Sequence, residues 1–98
     1  MNDNLDKVFI VTNVLASYLG VDKSEINIKL KKKENRYIFL LLLKKYKCLQ
    51  KEKVKEILEI ISDKSIKYNI DKAQEKFLIN KEFREMYLEI EENINKII

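Results

Sequence analysis

Apolar side chains recur at spacings of three and four residues along most of this chain, which is the pattern of amphipathic helices. The first segment, from about Leu5 to Leu19, is predicted as a helix. Its apolar face comprises Val8, Val11, Leu15, Tyr18 and Leu19. Asp3 or Asn4 can cap the start of this helix, and Gly20 suits the left-handed residue at its end. A short turn of helix is predicted from Asp22 to Ile26.

The second half of the chain has the same periodicity. It predicts three helices, over Gln50–Ile61, Lys64–Leu78 and Lys81 to about Ile97. Their apolar faces are Val54, Ile57, Leu58 and Ile61; Ile66, Ile70, Ala73 and Phe77; and Phe83, Tyr87, Ile90, Ile94 and Ile97. Ser62 or Asp63 can cap the second of these helices, and Asn80 the third. Two helices joined by a short polar break have the outline of a helix-turn-helix.

The segment between residues 26 and 43 has two interpretations. Ile26, Ile28 and Leu30 alternate with polar residues, which favours a hairpin whose second strand is the apolar run ending at Leu43. The alternative is a basic loop followed by a buried helix over residues 36–46. Leucines dominate residues 40–43 and are good helix formers, so we favour the helix.

Composition supports one all-α domain of five to six helices with a helix-turn-helix core, over residues 1–98. The chain has no proline and one glycine, whereas sandwiches and barrels need many tight turns. The alternative remains an α+β fold with a hairpin at residues 26–43. Cys48 is the only cysteine and no signal peptide is evident, so we expect a cytoplasmic protein. The longest apolar run, from Tyr37 to Leu43, is too short to span a membrane.

Charge is concentrated in one part of the sequence. The net charge is +4, but residues 29–55 hold eleven Lys or Arg against two acids. Such a block repels itself, and it indicates a polyanionic partner or a solvated basic surface.

Several segments resemble the C-terminal DNA-binding domain of the bacterial chromosomal replication initiator, DnaA, which is a Trp-repressor-like helix-turn-helix. These segments are Val14–Val21, Asp22–Ile26, the basic run Lys29–Arg36, Ser65–Ala73 and Asn80–Arg84. The resemblance covers about the last six-sevenths of the chain and implies the fold and its docking on DNA. An Asp-His-Thr-Thr stretch typical of that family is replaced here by Ser62-Asp63-Lys64-Ser65, so site specificity is not carried over.

In a helix-turn-helix the second helix enters the major groove by its N-terminal turn. The expected base-contact candidates are therefore Lys64, Ser65, Lys67, Tyr68 and Asn69. Asn69 could pair with an adenine edge and Lys67 with guanine, whereas Tyr68 could instead cover the edge of the core. The candidates for phosphate or minor-groove contact are Lys29, Lys31, Lys32, Lys33, Arg36, Lys45 and Lys51. The alternative for each of these side chains is simple solvation.

The sequence therefore predicts a duplex DNA-binding protein, as a small regulator or an accessory replication or mobile-element protein. The alternative is a protein-interaction module derived from a helix-turn-helix, with the acidic last helix as its docking surface. RNA binding through exposed aromatics is a weaker option. We expect no enzyme, cofactor, metal site or small-molecule substrate, since the chain has no histidine and no phosphate-binding glycine loop.

Overall fold

The secondary structure is helical throughout the part of the chain that the computed structural model describes, residues 3–60 and 62–98. The elements are α1 (Asp3–Leu19), a 3₁₀ turn (Lys23–Glu25), α2 (Ile26–Lys29), α3 (Lys33–Lys45), α4 (Lys51–Leu58), α5 (Asp63–Ile79) and α6 (Lys81–Asn95). The all-α fold class is confirmed. The alternative of a hairpin at residues 26–43 is wrong, because α2 and α3 occupy that segment.

Helix α3 lies at the centre of the fold and packs against α1, α5 and α6. The side chains of Ile38, Phe39, Leu40, Leu42 and Leu43 have no exposed surface. A helix that is buried on nearly all sides loses the polar stripe of a surface helix. That explains why its sequence also fitted a buried strand. The radius of gyration, 12.4 Å, is near the roughly 13 Å expected of a compact domain of about 100 residues.

Three helices end at a residue in the left-handed conformation. Gly20, with φ of +74°, ends α1 as the sequence predicts, and the amide of Val21 donates to the carbonyl of Ala16. Lys47 and Glu59 adopt the same conformation after α3 and α4, each with φ of +57°. Glycine adopts this conformation without strain, whereas other residues have a Cβ that crowds the backbone.

Side chains cap the last two helices. The Ser62 hydroxyl accepts a hydrogen bond from the Ser65 amide at 3.2 Å, and the Asn80 side chain accepts one from the Phe83 amide at 2.9 Å. Each cap pairs a backbone N–H that the helix itself leaves free. The predicted caps at residues 62 and 80 are therefore confirmed. The cap predicted at Asp3 or Asn4 lies outside the residues whose side chains the structure describes.

Some predicted boundaries and faces are wrong. Helix α3 begins at Lys33 rather than at residue 36, and α4 ends at Leu58 because Glu59 turns the chain. Tyr18 is 38% exposed and donates its hydroxyl proton to Glu89, and Ile97 is 61% exposed beyond the end of α6. Neither side chain belongs to the core. Ile61, predicted on the apolar face of α4, lies outside the described residues.

The strained end of α4 gives a test of this turn. We expect Glu59→Gly to raise the free energy of unfolding by about 0.5–1 kcal/mol, because glycine removes the Cβ strain at φ of +57°. The substitution removes little else, since Glu59 only accepts a 3.4 Å exposed hydrogen bond from Asn27. The matched control is Glu56→Gly inside α4, which should lower stability by about 1 kcal/mol. Urea denaturation measures both, and equal destabilisation by the two changes would contradict the assigned turn.

Candidate nucleic-acid interface

The connection between α4 and α5 consists of four residues, Glu59 to Ser62, between two helix ends. On the α4 side, the Ile60 amide donates to the carbonyl of Lys55 at 3.0 Å. On the α5 side, the Ser62 hydroxyl accepts from the Ser65 amide and donates to the Ser65 hydroxyl. The connection is thus held by hydrogen bonds at both described ends. It presents the first turn of α5 next to α4.

The residues expected to contact bases fall into three groups in the structure. Lys64, Lys67 and Tyr68 are exposed on α5, and Tyr68 has 60% of its surface free. The interpretation that Tyr68 covers the core edge is therefore wrong. Ser65 is half-buried, with its hydroxyl held by Ser62. Asn69 is only 8% exposed and faces α3.

Both ends of the Asn69 amide are used inside the protein. Its oxygen accepts from Nε of Arg36 at 2.8 Å, and its nitrogen donates to the carbonyl of Ser65 at 2.7 Å. A base-reading asparagine needs its donor and acceptor free on one exposed edge. Asn69 is therefore a structural residue of the α3–α5 contact, which corrects the expectation that it reads an adenine.

Arg36 connects three parts of the chain. Besides its bond to Asn69 on α5, its guanidinium donates through Nη1 to the carbonyl of Lys31 at 3.2 Å. Arg36 lies in the first turn of α3, not in the loop before it, and it is half-buried. An arginine in this position holds the loop against α5, so its main contacts are internal rather than with phosphates.

The basic loop, residues 29–33, runs from the last residue of α2 to the first residue of α3 and is fixed through its backbone. The Asn35 side chain, 6% exposed, donates to the carbonyl of Lys29 at 2.9 Å, next to the Arg36 contact with Lys31. The side chains of its four lysines are exposed to solvent; they are Lys29, Lys31, Lys32 and Lys33. The structure thus brings this loop beside the first half of α5.

Sequence reasoning did not single out Asn35 as a residue that positions this loop. The available signal was a short polar side chain next to an apolar run. A side chain of this kind that becomes buried is almost always hydrogen-bonded, so it is a candidate for a structural contact. Its partner, a backbone carbonyl six residues earlier, leaves no trace in the sequence.

The rest of the basic block lies elsewhere. Lys44, Lys45 and Lys47 are exposed around the C-terminal end of α3. Twelve residues separate Lys33 from Lys45, and at about 1.5 Å per residue the helix places their backbones about 18 Å apart. Lys45 therefore does not extend the loop surface. Lys51, at the start of α4, lies 4.0 Å from the carboxylate of Asp63.

Asp63 puts a negative charge at the first turn of α5, close to Lys51 and Lys55. Lys55 donates to its carboxylate at 2.6 Å. This hydrogen bond holds the pKa of Asp63 below its usual value and raises the pKa of Lys55. Because Lys55 and Lys51 both face this carboxylate, the start of α5 does not present an unpaired negative charge to an anionic partner.

The Arg36–Asn69 contact can be tested through stability. We expect Asn69→Ala to lower the free energy of unfolding by about 1–2 kcal/mol, because a hydrogen bond to a charged group is removed. We also expect faster amide hydrogen exchange in residues 29–33, since Arg36 keeps only one of its two anchors. Lys67→Ala is the matched control on the same helix, and as an exposed change it should shift stability by less than about 0.5 kcal/mol. If the two variants have the same stability, the contact is not structural.

The Asp63–Lys55 pair predicts a pH dependence. A carboxylate whose folded pKa is lowered stabilises the fold above its unfolded pKa of about 4, and this contribution disappears as pH falls through the folded value. We expect Asp63→Asn to lose less stability than the parent chain between pH 5 and pH 2. Asp71→Asn, an exposed carboxylate later on α5, is the control and should follow the parent. Parallel pH curves for the parent and Asp63→Asn would contradict the pairing.

Neither a metal centre nor a membrane span occurs in the described residues. Across residues 3–60 and 62–98, no three cysteine or acidic side chains converge in a way that could hold a metal ion. In the same part of the chain, no helix combines the length and the apolar character needed to cross a membrane.

In comparisons with known proteins, no protein-family model, no curated protein and no solved structure matches this chain.

Proposed function

We propose that this protein binds duplex DNA, with α4 and α5 as a helix-turn-helix and the basic loop of residues 29–33 along the phosphate backbone. The observation that carries the proposal is the hydrogen-bonded link from the loop through Arg36 to Asn69. It holds the loop next to α5, on which Lys64 and Lys67 are exposed, and the proposal takes the lysines of both elements as DNA contacts. The sequence resemblance to the DNA-binding domain of the replication initiator supports the same assignment.

The parts of this surface have different roles in the proposal. The loop lysines neutralise phosphates, which supplies affinity and salt dependence but no sequence information. Lys64, Lys67 and Tyr68 lie on the exposed side of the first half of α5 and approach base edges in the major groove. Since Asn69 is used internally, base discrimination falls on Lys67, which can donate to guanine, and on Tyr68, which can contact a thymine methyl group.

The proposed role is non-enzymatic and cytoplasmic, as a small regulator or an accessory protein of replication or of a mobile element. It needs no cofactor, because affinity comes from the basic surface and from base contacts.

Charge-matched variants test the proposal. We expect the parent chain to bind a labelled AT-rich duplex with micromolar or tighter affinity at low salt. Replacing Lys31, Lys32 and Lys33 by glutamine should remove most of this affinity. It should also reduce the slope of log K against log salt by about 2.7, that is, by about 0.9 for each phosphate that is no longer neutralised. Fluorescence anisotropy over a salt series measures both quantities.

The control replaces Lys44, Lys45 and Lys47 by glutamine, which changes the net charge equally at the other end of α3. It should keep affinity within a few-fold of the parent. Equal weakening in the two triple variants would show that net charge alone drives binding, and no binding of the parent at low salt would refute DNA binding altogether.

A second candidate function is protein interaction through α6. The outward side chains of this helix include four exposed glutamates, Glu82, Glu85, Glu89 and Glu92. The internal use of Asn69 favours this alternative, because it removes the side chain best suited to an adenine edge. Binding to a basic protein in the absence of any DNA binding would support it.

A further inference from the structure

Two neighbouring apolar side chains at the C-terminal end of α5 are left uncovered. Leu78 is 75% exposed and Ile79 is 78% exposed, the largest values among the large apolar side chains of the described residues. Leu78 lines a shallow groove with Leu41, Phe77 and Tyr87, between α3, α5 and α6. Leu78 thus continues the apolar groove, whereas Ile79 lines a neighbouring groove with Tyr37, Lys72 and Lys76.

The charges around this patch balance one another. Lys72 lies 3.7 Å from Glu75 on α5, and Lys81 lies 3.9 Å from Glu85 on α6. Arg84 donates to the carbonyls of Phe77 and Leu78, Lys76 lies 3.0 Å from Glu34, and Glu82 is exposed in the first turn of α6. The rim thus has four positive and four negative side chains, in contrast to the loop of residues 29–33, whose charged side chains are all lysines.

We propose that this patch, centred on Leu78 and Ile79, is the contact surface of a twofold dimer of this chain. In a twofold interface the same patch occurs on both partners, so each positive group must meet a negative group of the same patch. A rim with both signs meets this condition, whereas a patch for an oppositely charged partner would have one sign. The apolar area is small, so the dimer is a weak one that forms at micromolar concentration or above.

The dimer also fits the proposed DNA binding, and this step alone rests on that function. Along α5, twelve residues separate Lys67 from Ile79, which is about 18 Å of helix. If the C-terminal ends of two α5 helices meet at a twofold axis, the two Lys67 positions lie up to about 36 Å apart. That distance is close to one turn of the DNA duplex, about 34–36 Å, at which helix-turn-helix dimers place their recognition helices.

Sedimentation equilibrium without DNA tests the dimer separately from the proposed function. The parent chain should show an apparent mass that rises from the monomer value of 11.8 kDa towards twice that value as concentration increases from micromolar to millimolar. Ile79→Lys should remain monomeric, because two added charges would face each other across the axis. Ile97→Lys is the control: it adds the same charge at another exposed apolar position, and it should dimerise like the parent.

Cross-linking gives a second measurement at the same surface. In a background without the native thiol, Cys48→Ala, an Ile79→Cys variant should form a disulfide-linked dimer under mild oxidation, since residue 79 lies near its own symmetry mate. Ile97→Cys should not. A parent chain that stays monomeric to millimolar concentration would overturn the proposal, as would a dimer that Ile79→Lys leaves intact.

Discussion

The burial of α3 is the constraint on which the rest of this structure depends. Between Asn35 and Leu43 only Arg36 and Leu41 are even half-exposed, so this helix is enclosed by α1, α5 and α6. A charged side chain cannot be buried there without a large cost in free energy. The lysines of this part of the chain are therefore confined to the two ends of the helix. A single basic block in the sequence becomes two separate basic surfaces about 18 Å apart along the helix.

Arg36, in the first turn of α3, is the one charged residue between Asn35 and Leu43, and its contacts show how a buried helix can position a loop. Its guanidinium has donors enough to bind the loop carbonyl of Lys31 and the Asn69 side chain together. Each partner is thereby satisfied, which is what a half-buried polar group requires. The same side chain that satisfies these polar groups thus fixes the distance between the loop lysines and α5.

How much could be predicted from the sequence depended on where each signal lies. The apolar stripes of α5 and α6 and their caps at Ser62 and Asn80 are local patterns, and the structure agrees with them except at Ile97, which lies beyond the end of α6. The strand-or-helix ambiguity at α3 arose because a fully buried helix has no polar face to reveal its period. The end of α4 was misplaced because Glu59 adopts a conformation that usually indicates glycine.

For the candidate site, local pattern found the basic loop and the exposed side chains of α5. It could not find the internal role of Asn69, because Arg36, which donates a hydrogen bond to the Asn69 side chain, lies 33 positions earlier in the chain. Sequence spacing alone also made Lys45 a neighbour of the loop, although a rigid helix separates them. In both cases the deciding fact is the spatial relation between distant parts of the chain, which no helical period encodes.

Helix α5 itself combines two surfaces of different character. Its first half exposes Lys64 and Lys67, and its last turn exposes Leu78 and Ile79 within a rim of balanced charge. If both surfaces were basic, two copies of a chain with net charge +4 would repel each other wherever they met. In the proposed dimer, contact through the C-terminal end would place the two Lys67 positions up to about 36 Å apart, several times the screening length of about 8–10 Å at physiological salt. The repulsion between these positions would then be largely screened, and in the proposed complex both would lie at the phosphates of one duplex. Because the exposed lysines and the exposed apolar pair lie at opposite ends of α5, the proposed dimer is compatible with the proposed binding to a polyanion.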